Sequence, residues 1–218
     1  MRTLNEIGLC YNSDKSSEFH NYLELYDKEF SNIRNNENNI LEIGILNGDS
    51  LNILSEYFYN SKIYAIDIDD KKRYDNEKIK TYIGDQSDIN FLNNFDDNFF
   101  EVILDDGSHR MNHQQISLSI LFKKLKSGGI YIIEDLHTSL YNYKETINYG
   151  KGLFGLNDNN DNNTIDFLKN LKNENLKNYY MSNEDLIYIQ NNVENIEIIQ
   201  TAYRTEGNVS ITSIIKKK

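Results

Sequence analysis

Short β-branched runs alternating with helix-length amphipathic runs through the middle of the chain limit what it can fold into more than any other feature. Candidate strands fall at Asn39 to Ile43, Lys62 to Ile66, Ile79 to Ile83, Phe99 to Leu104 and Gly129 to Ile133, with room for a helix after most of them. That pattern is the signature of a parallel sheet with crossover helices, so the fold class is α/β with helices on both faces of the sheet. The clearest helices are Ser50 to Tyr59, with Leu51, Leu54, Tyr57 and Phe58 on one face, and His113 to Leu125, with Ile116, Ile120, Leu121 and Leu125. Ser127-Gly128-Gly129 is expected to close the second helix and open the next strand, because glycine tolerates the positive φ of a helix C-terminus.

Beyond Glu134 the pattern changes. His137 to Tyr149 reads as helix, Gly150 to Asn163 as a polar loop and Thr164 to Leu176 as helix again. Ile196 to Tyr203 and Asn208 to Ile215, separated by Arg204-Thr205-Glu206-Gly207, read as two antiparallel strands joined by a short turn. Five parallel strands followed by such a hairpin resemble the Rossmann-like class I methyltransferase fold, a mostly parallel seven-stranded sheet whose last strand inserts antiparallel beside the fifth. A length of 218 residues fits a single domain, 1–218.

Charge and cysteine usage narrow the partners. The 34 acidic side chains outnumber the 23 basic ones, for a net charge of -11, which argues against a nucleic-acid backbone or an anionic membrane as partner. One cysteine, Cys10, allows no internal disulfide, and no zinc spacing of cysteines and histidines appears. The sequence shows no signal-peptide core and nothing near the ~20 apolar residues of a membrane span, so it reads as a soluble, cytoplasmic protein.

The segment Leu41 to Ser50 sets two glycines and an expected N-capping serine between the first strand and the first long helix. Glycine lets backbone approach a ligand closely, and free amides at a helix start bind carboxylate or phosphate. Glu42, Gly44, Asn47 and Ser50 are therefore candidate cofactor contacts, together with Asp67 at the end of the second strand, where an acid can hold ribose hydroxyls. An NAD enzyme or a non-catalytic domain can share this arrangement. Gly44 and Gly48 are four apart, however, and G-x-G-x-x-G is absent, which favours a sulfonium cofactor without a pyrophosphate, S-adenosylmethionine, over NAD. Past the third strand, Asp85 and Gln86 are expected to face the ligand while Ser87 or Asp88 caps a helix.

Asp105 and Asp106 follow one apolar strand, and Glu134 and Asp135 follow another. If the strands are neighbours, about 4.8 Å apart, these carboxylates converge and repel one another unless a cation joins them. An all-oxygen set favours Mg²⁺, Mn²⁺ or Ca²⁺ over zinc, with Asp106, Glu134 and Asp135 as ligands and Asp105 toward the cofactor. The sequence leaves open which of two successive carboxylates points where. His109 is three residues beyond Asp106 and can accept the proton of a metal-acidified hydroxyl as its oxygen attacks a sulfonium methyl group.

Leu41-Glu42-Ile43-Gly44, Gly84-Asp85-Gln86-Ser87-Asp88, Asp105-Asp106-Gly107-Ser108-His109 and Ile133-Glu134-Asp135-Leu136-His137-Thr138-Ser139 together resemble the metal-dependent sugar O-methyltransferases of macrolide biosynthesis and their relatives in surface-glycan clusters. The resemblance implies magnesium on Asp106, Glu134 and Asp135 and a base at His109. It also implies that residues 1–36, with Ser13-Asp14-Lys15, His20, Tyr22 and Tyr26, form a helical segment over the active site in which Lys15 and His20 contact cofactor or substrate. The implied acceptor is a small molecule, a sugar or nucleotide-sugar; residues 150–163 are expected to form an acceptor loop or lid, because long polar loops beside a catalytic crevice commonly do so. A non-sugar, catechol-like hydroxyl is the alternative acceptor. The chain is much shorter than the macrolide enzymes, so their assembly does not carry over and a homo-oligomer stays open.

Overall fold

The computed structural model describes residues 1–140, 163–202 and 209–218. Seven strands, β1 (Asn39–Ile43), β2 (Lys62–Asp67), β3 (Ile79–Ile83), β4 (Phe100–Asp105), β5 (Leu125–Ile133), β6 (Val193–Ala202) and β7 (Val209–Lys217), form one sheet in the order β3-β2-β1-β4-β5-β7-β6. Strand β1 pairs in parallel with both β2 and β4, so the strand order reverses there and a crevice opens at the carboxyl ends of β1 and β4. The register sets Ile43 opposite Asp105, and Asp105 opposite Ile133. The ladder continues one residue further, with Asp106 N donating to Ile43 O at 3.0 Å and Glu134 N to Asp105 O at 2.9 Å. Both acidic pairs thus leave the sheet side by side, as the strand reading required.

Alternation along the strands divides the core. Leu41, Ile43, Ile103, Tyr131 and Ile133 pack on one face with α4 (Ile89–Leu92), α5 (Met111–Lys124) and the helices Thr164–Lys169 and Asn183–Asn192. Ile40, Val102, Leu104, Ile130 and Ile132 pack on the other, under α1 (Leu4–Cys10), α2 (Tyr22–Phe30) and α3 (Asp49–Tyr57). Helix α1 starts on a reciprocal cap, Thr3 Oγ1 accepting from Glu6 N and Glu6 Oε2 from Thr3 N. The N-terminal helices therefore belong to a layer against the sheet, and the loop between them reaches the crevice.

Several boundaries move. Helix α5 ends at Lys124, and Leu125 is already in β5. Ser127-Gly128-Gly129 does not close the helix; it falls where the pairing with β4 jumps from Leu125 to Ile130, and Gly128 supplies the φ of +74° that the irregularity needs. Ser50 is not the N-cap of α3. Gly48 takes that place with φ +82°, which a serine would adopt only under strain. The helix expected over Thr164 to Leu176 stops at Lys169, where Asn170 and Asn173 turn the chain through local hydrogen bonds. Helix Asn183–Asn192 has no counterpart in the sequence reading; Ser182 caps it by accepting from Asp185 N at 3.0 Å. The C-terminal hairpin is present, β6 pairing antiparallel to β7 and β7 to β5. Its turn at Arg204 to Gly207, most of the expected helix from His137 and nearly all of the loop 150–163 lie outside the described residues.

Candidate functional site

The loops after β1 to β5, together with the α1–α2 loop, enclose a cavity of about 760 Å³. Its first wall follows from two glycines. Gly44 has φ +90°, and a Cβ there would come within 2.1 Å of the Asp106 carbonyl oxygen, so only glycine lets the β1 loop close against the β4 loop. A Cβ on Gly48 would meet the Tyr74 ring at 2.5 Å. Asn47, Ser50, Asp67, Asp85 and Gln86 all line the cavity. Asp67 accepts from Ile45 N and Asp69 N, each at 2.9 Å, and so ties the loops after β1 and β2 together. Asp85 accepts from Ser87 N at 2.8 Å and Ser87 Oγ at 2.7 Å, and these bonds hold its carboxyl below the ordinary range. Gln86 spans the crevice, its Nε2 donating to Asp105 Oδ1 at 3.0 Å and its Oε1 accepting from Ser108 N at 2.6 Å.

Two expected cofactor contacts are elsewhere. Asp105 is 1% exposed and absent from the cavity wall; it accepts from Gln86 Nε2, Ser117 Oγ at 2.5 Å and Gly107 N beneath the β4 loop. Burial pushes its carboxyl up to about 6. Of the two successive aspartates, Asp106 faces the cavity, because the last β4 side chain points toward Ser117 on α5 and the next residue has left the strand. Glu42, also 1% exposed, lines a small separate recess with Lys15, Ser50, Tyr26 and Leu104. Burial raises Glu42 to about 7, against the opposing pull of Lys15 and the Ser50 hydroxyl.

The second wall gathers charge. One ligand atom each from Asp106, His109 and Asp135 lie within 4.8 Å of one another, and His109 Nε2 is 3.6 Å from Asp135 Oδ2. Glu134 stands beside this trio; its Oε2 accepts from Lys15 Nζ at 2.5 Å, and its buried Oε1 has no partner. Lys15 Nζ also donates to Asp106 Oδ2. Lys15, expected as a cofactor or substrate contact, lines the cavity and is also a buried counter-ion of the acids. Burial opposes its charge, but Asp106 and Glu134, with a further contribution from Glu42, hold its pKa well above the usual value. Burial drives Glu134 well up. Burial would raise Asp135 too, but His109, His137, His20 and Lys15 bring it below the ordinary range.

Outer contacts fix this wall. Tyr22 OH donates to Asp135 Oδ1 at 2.9 Å, and Thr138 Oγ1 to His109 O at 3.0 Å. His20 lines the cavity with Nδ1 2.7 Å from Ser210 Oγ, its ring stacked on Tyr22 at 5.1 Å. His113, the first residue of the helix expected from the sequence, lines the cavity and pairs with Ser108 Oγ at 3.0 Å. Of the six non-glycine residues with positive φ among the described residues, Asn12, Leu46, His109 and Asp135 line the cavity. Strained backbone concentrated at one crevice marks a site whose geometry the rest of the fold enforces. Asn12, Leu46, Lys71 and Arg110 also line it and were missed, since nothing in their local sequence distinguishes them from loop residues.

No family model matches the chain. It is 35% identical over 147 residues to a demethylmacrocin O-methyltransferase of Streptomyces fradiae, covering 63% of this chain and 37% of that one. It is 32% identical over 174 residues to an 8-demethyl-8-alpha-L-rhamnosyl tetracenomycin-C 2'-O-methyltransferase of Streptomyces olivaceus, covering 76% of this chain and 43% of that one. The chain therefore spans about two fifths of the length of these curated relatives. Among solved structures, the MycE methyltransferase of the mycinamycin biosynthetic pathway, in complex with Mg, SAH and mycinamycin VI, superposes with a TM-score of 0.75 at 25% identity, over 99% of this chain and 54% of that one. By sequence and by architecture, the chain belongs to the family of sugar O-methyltransferases and carries the class I methyltransferase fold.

Proposed function

We propose that this chain, as a single methyltransferase domain, transfers a methyl group from S-adenosylmethionine to a hydroxyl of a small-molecule sugar acceptor, with a divalent cation at the acidic wall. The observation that carries the reading is the convergence of Asp106, His109 and Asp135 within 4.8 Å in the same cavity that Gly44, Asp67 and Asp85 line. The donor set suits such an ion. Lys15 supplies one positive charge against Asp106, Glu134, Asp135 and the nearby Glu42, and Glu134 Oε1 is buried without a partner. Oxygen-rich, anionic sites favour a hard cation such as Mg²⁺, which Asp106, Glu134 and Asp135 would hold. When bound, it would lower the pKa of the acceptor hydroxyl.

His109 then has one task. Its Nε2 takes the hydroxyl proton as the acceptor oxygen forms a bond to the methyl carbon and the carbon–sulfur bond breaks, leaving S-adenosylhomocysteine. Asp135, 3.6 Å from Nε2, stabilises the imidazolium that results. The Gly44 loop and Asp67 would hold the cofactor, with Asp85 near its base. The α1–α2 loop, through Lys15 and His20, roofs the acidic wall. The relatives' acceptors support a sugar. The deep crevice and the charge of -11 argue against nucleic acid. No helix among the described residues is long and apolar enough to cross a membrane.

Calorimetry with S-adenosylhomocysteine and with NAD, followed by mass spectrometry of methyl transfer to a sugar panel with and without chelator, tests the proposal. S-adenosylhomocysteine binding and chelator-sensitive transfer are expected. Tight NAD binding with no response to S-adenosylhomocysteine, or full activity in excess chelator, would contradict it.

A further inference from the structure

Glu42 and Lys15 pose a problem that the proposed reaction does not absorb. Glu42 is a carboxylate 1% exposed, outside the main cavity, and its Oε2 has no hydrogen-bond partner. A buried, unpaired acid oxygen is costly and calls for a partner in some state of the molecule. The recess that holds Glu42 is also lined by Lys15, whose ammonium sits on Asp106 and Glu134. Those two acids are among the ones expected to bind the divalent ion, and an ammonium between them cannot share their oxygens with a dication without strong repulsion. The Lys15 backbone is fixed, its carbonyl accepting from Tyr22 N at 2.9 Å and Leu23 N at 3.1 Å, so relief has to come from rotation of its side chain.

We propose that Lys15 is a displaceable counter-ion: it bridges Asp106 and Glu134 while the acidic wall holds no metal, and turns to Glu42 Oε2 when a divalent cation enters. This rests on the metal reading above. It gives Glu42 a role as parking site, frees Glu134 to join Asp106 and Asp135, and keeps the buried acids partly neutralised in both states. The exchange conserves charge inside the fold, since one ammonium moves between carboxylates and none is exposed to solvent.

The test is Mn²⁺ binding to the full chain, followed by electron paramagnetic resonance of the free ion, in wild type, Glu42→Gln, Lys15→Met and the double variant. With its parking site removed, Lys15 should compete with the ion, so Glu42→Gln is expected to weaken Mn²⁺ binding about tenfold, a coupling of ordinary size. In the Lys15→Met background the same change should alter binding by less than about twofold, the limit of simple additivity. An equal effect of Glu42→Gln in both backgrounds overturns the exchange. If Lys15→Met does not fold, a crystal structure of the Mn²⁺-loaded wild type decides. Lys15 Nζ on Glu42 supports the proposal, and Lys15 still between Asp106 and Glu134 with the ion bound overturns it while leaving the metal reading intact. Failure of wild type to bind Mn²⁺ at all would overturn both.

Discussion

His109 and Asp135 show how much the site depends on single residues held in unfavourable conformations. Both are left-handed, at φ 56° and 54°, a state that costs a non-glycine residue about 1 kcal/mol or more. Thr138 and Tyr22 help to hold them there, by bonds to the His109 carbonyl and the Asp135 carboxylate. The His109→Ala variant is expected to lose about 10²- to 10⁴-fold in turnover, the worth of a positioned base, while its calorimetric affinity for S-adenosylhomocysteine stays near wild type. Near-normal turnover would shift the proton to His113, His137 or solvent. Tyr22→Phe removes only the hydroxyl that orients Asp135. Loss of such an outer partner should weaken Mn²⁺ binding about 10- to 100-fold with little change in far-UV circular dichroism, and unchanged binding would show that the Tyr22 bond is incidental.

At the scale of elements, the site is a consequence of strand order. Ile43, Asp105 and Ile133 stand in register, so the loops leaving β1, β4 and β5 must meet. Gly44 and Gly128 have similar backbone angles, φ +90° and +74°, but different surroundings: an added Cβ meets the Asp106 carbonyl at 2.1 Å in one case and nothing within 4 Å in the other. Gly128→Ala should therefore cost about 1 kcal/mol of stability, the strain of the angle alone, and leave ligand binding untouched. Gly44→Ala must also push the β1 and β4 loops apart, and a loss of at least about tenfold in S-adenosylhomocysteine affinity is expected. Equal behaviour of the two variants would show that the close approach is unimportant. The strands, the hairpin and the meeting of the two acidic pairs were legible in the sequence because period-2 burial and strand-end position leave marks on it. The boundary at Ser127-Gly128-Gly129 was not legible, since a helix cap and a strand irregularity ask for the same residues. Nor were the inward turn of Asp105, the recess around Glu42 and the Lys15 bridge, because they depend on contacts between segments up to 119 residues apart.

For the molecule as a whole, buried acids should set how stability depends on pH. Burial raises Glu42 to about 7 and Asp105 to about 6, above ordinary values of 4.5 and 3.8. A group raised in the folded state favours folding while protonated, and that contribution is lost as pH climbs through its folded value. Glu134, raised in the same direction, adds to the effect. Asp75 and Asp185 are shifted the other way, Asp75 to about 2, so their contribution is lost only as pH falls toward the acid range and does not offset the trend near neutrality. The net charge of -11 at pH 7 adds self-repulsion that grows in the same direction as the buried acids ionise. In excess chelator the protein should therefore melt at a higher temperature near pH 5.5 than near pH 8, with an upper bound on the order of 2 kcal/mol from Glu42 alone over that interval. Glu42→Gln, which cannot ionise, should remove its share of the fall between pH 6 and 7, where Asp105 no longer contributes, and leave the Asp105 contribution below pH 6 in place. Saturating Mg²⁺ should stabilise the protein more at pH 8 than at pH 5.5, because the ion binds the ionised acids and gains nothing from protonated ones. A melting temperature that rises between pH 5.5 and 8 in chelator, or a magnesium effect independent of pH, would show that these carboxylates do not govern the stability of the fold.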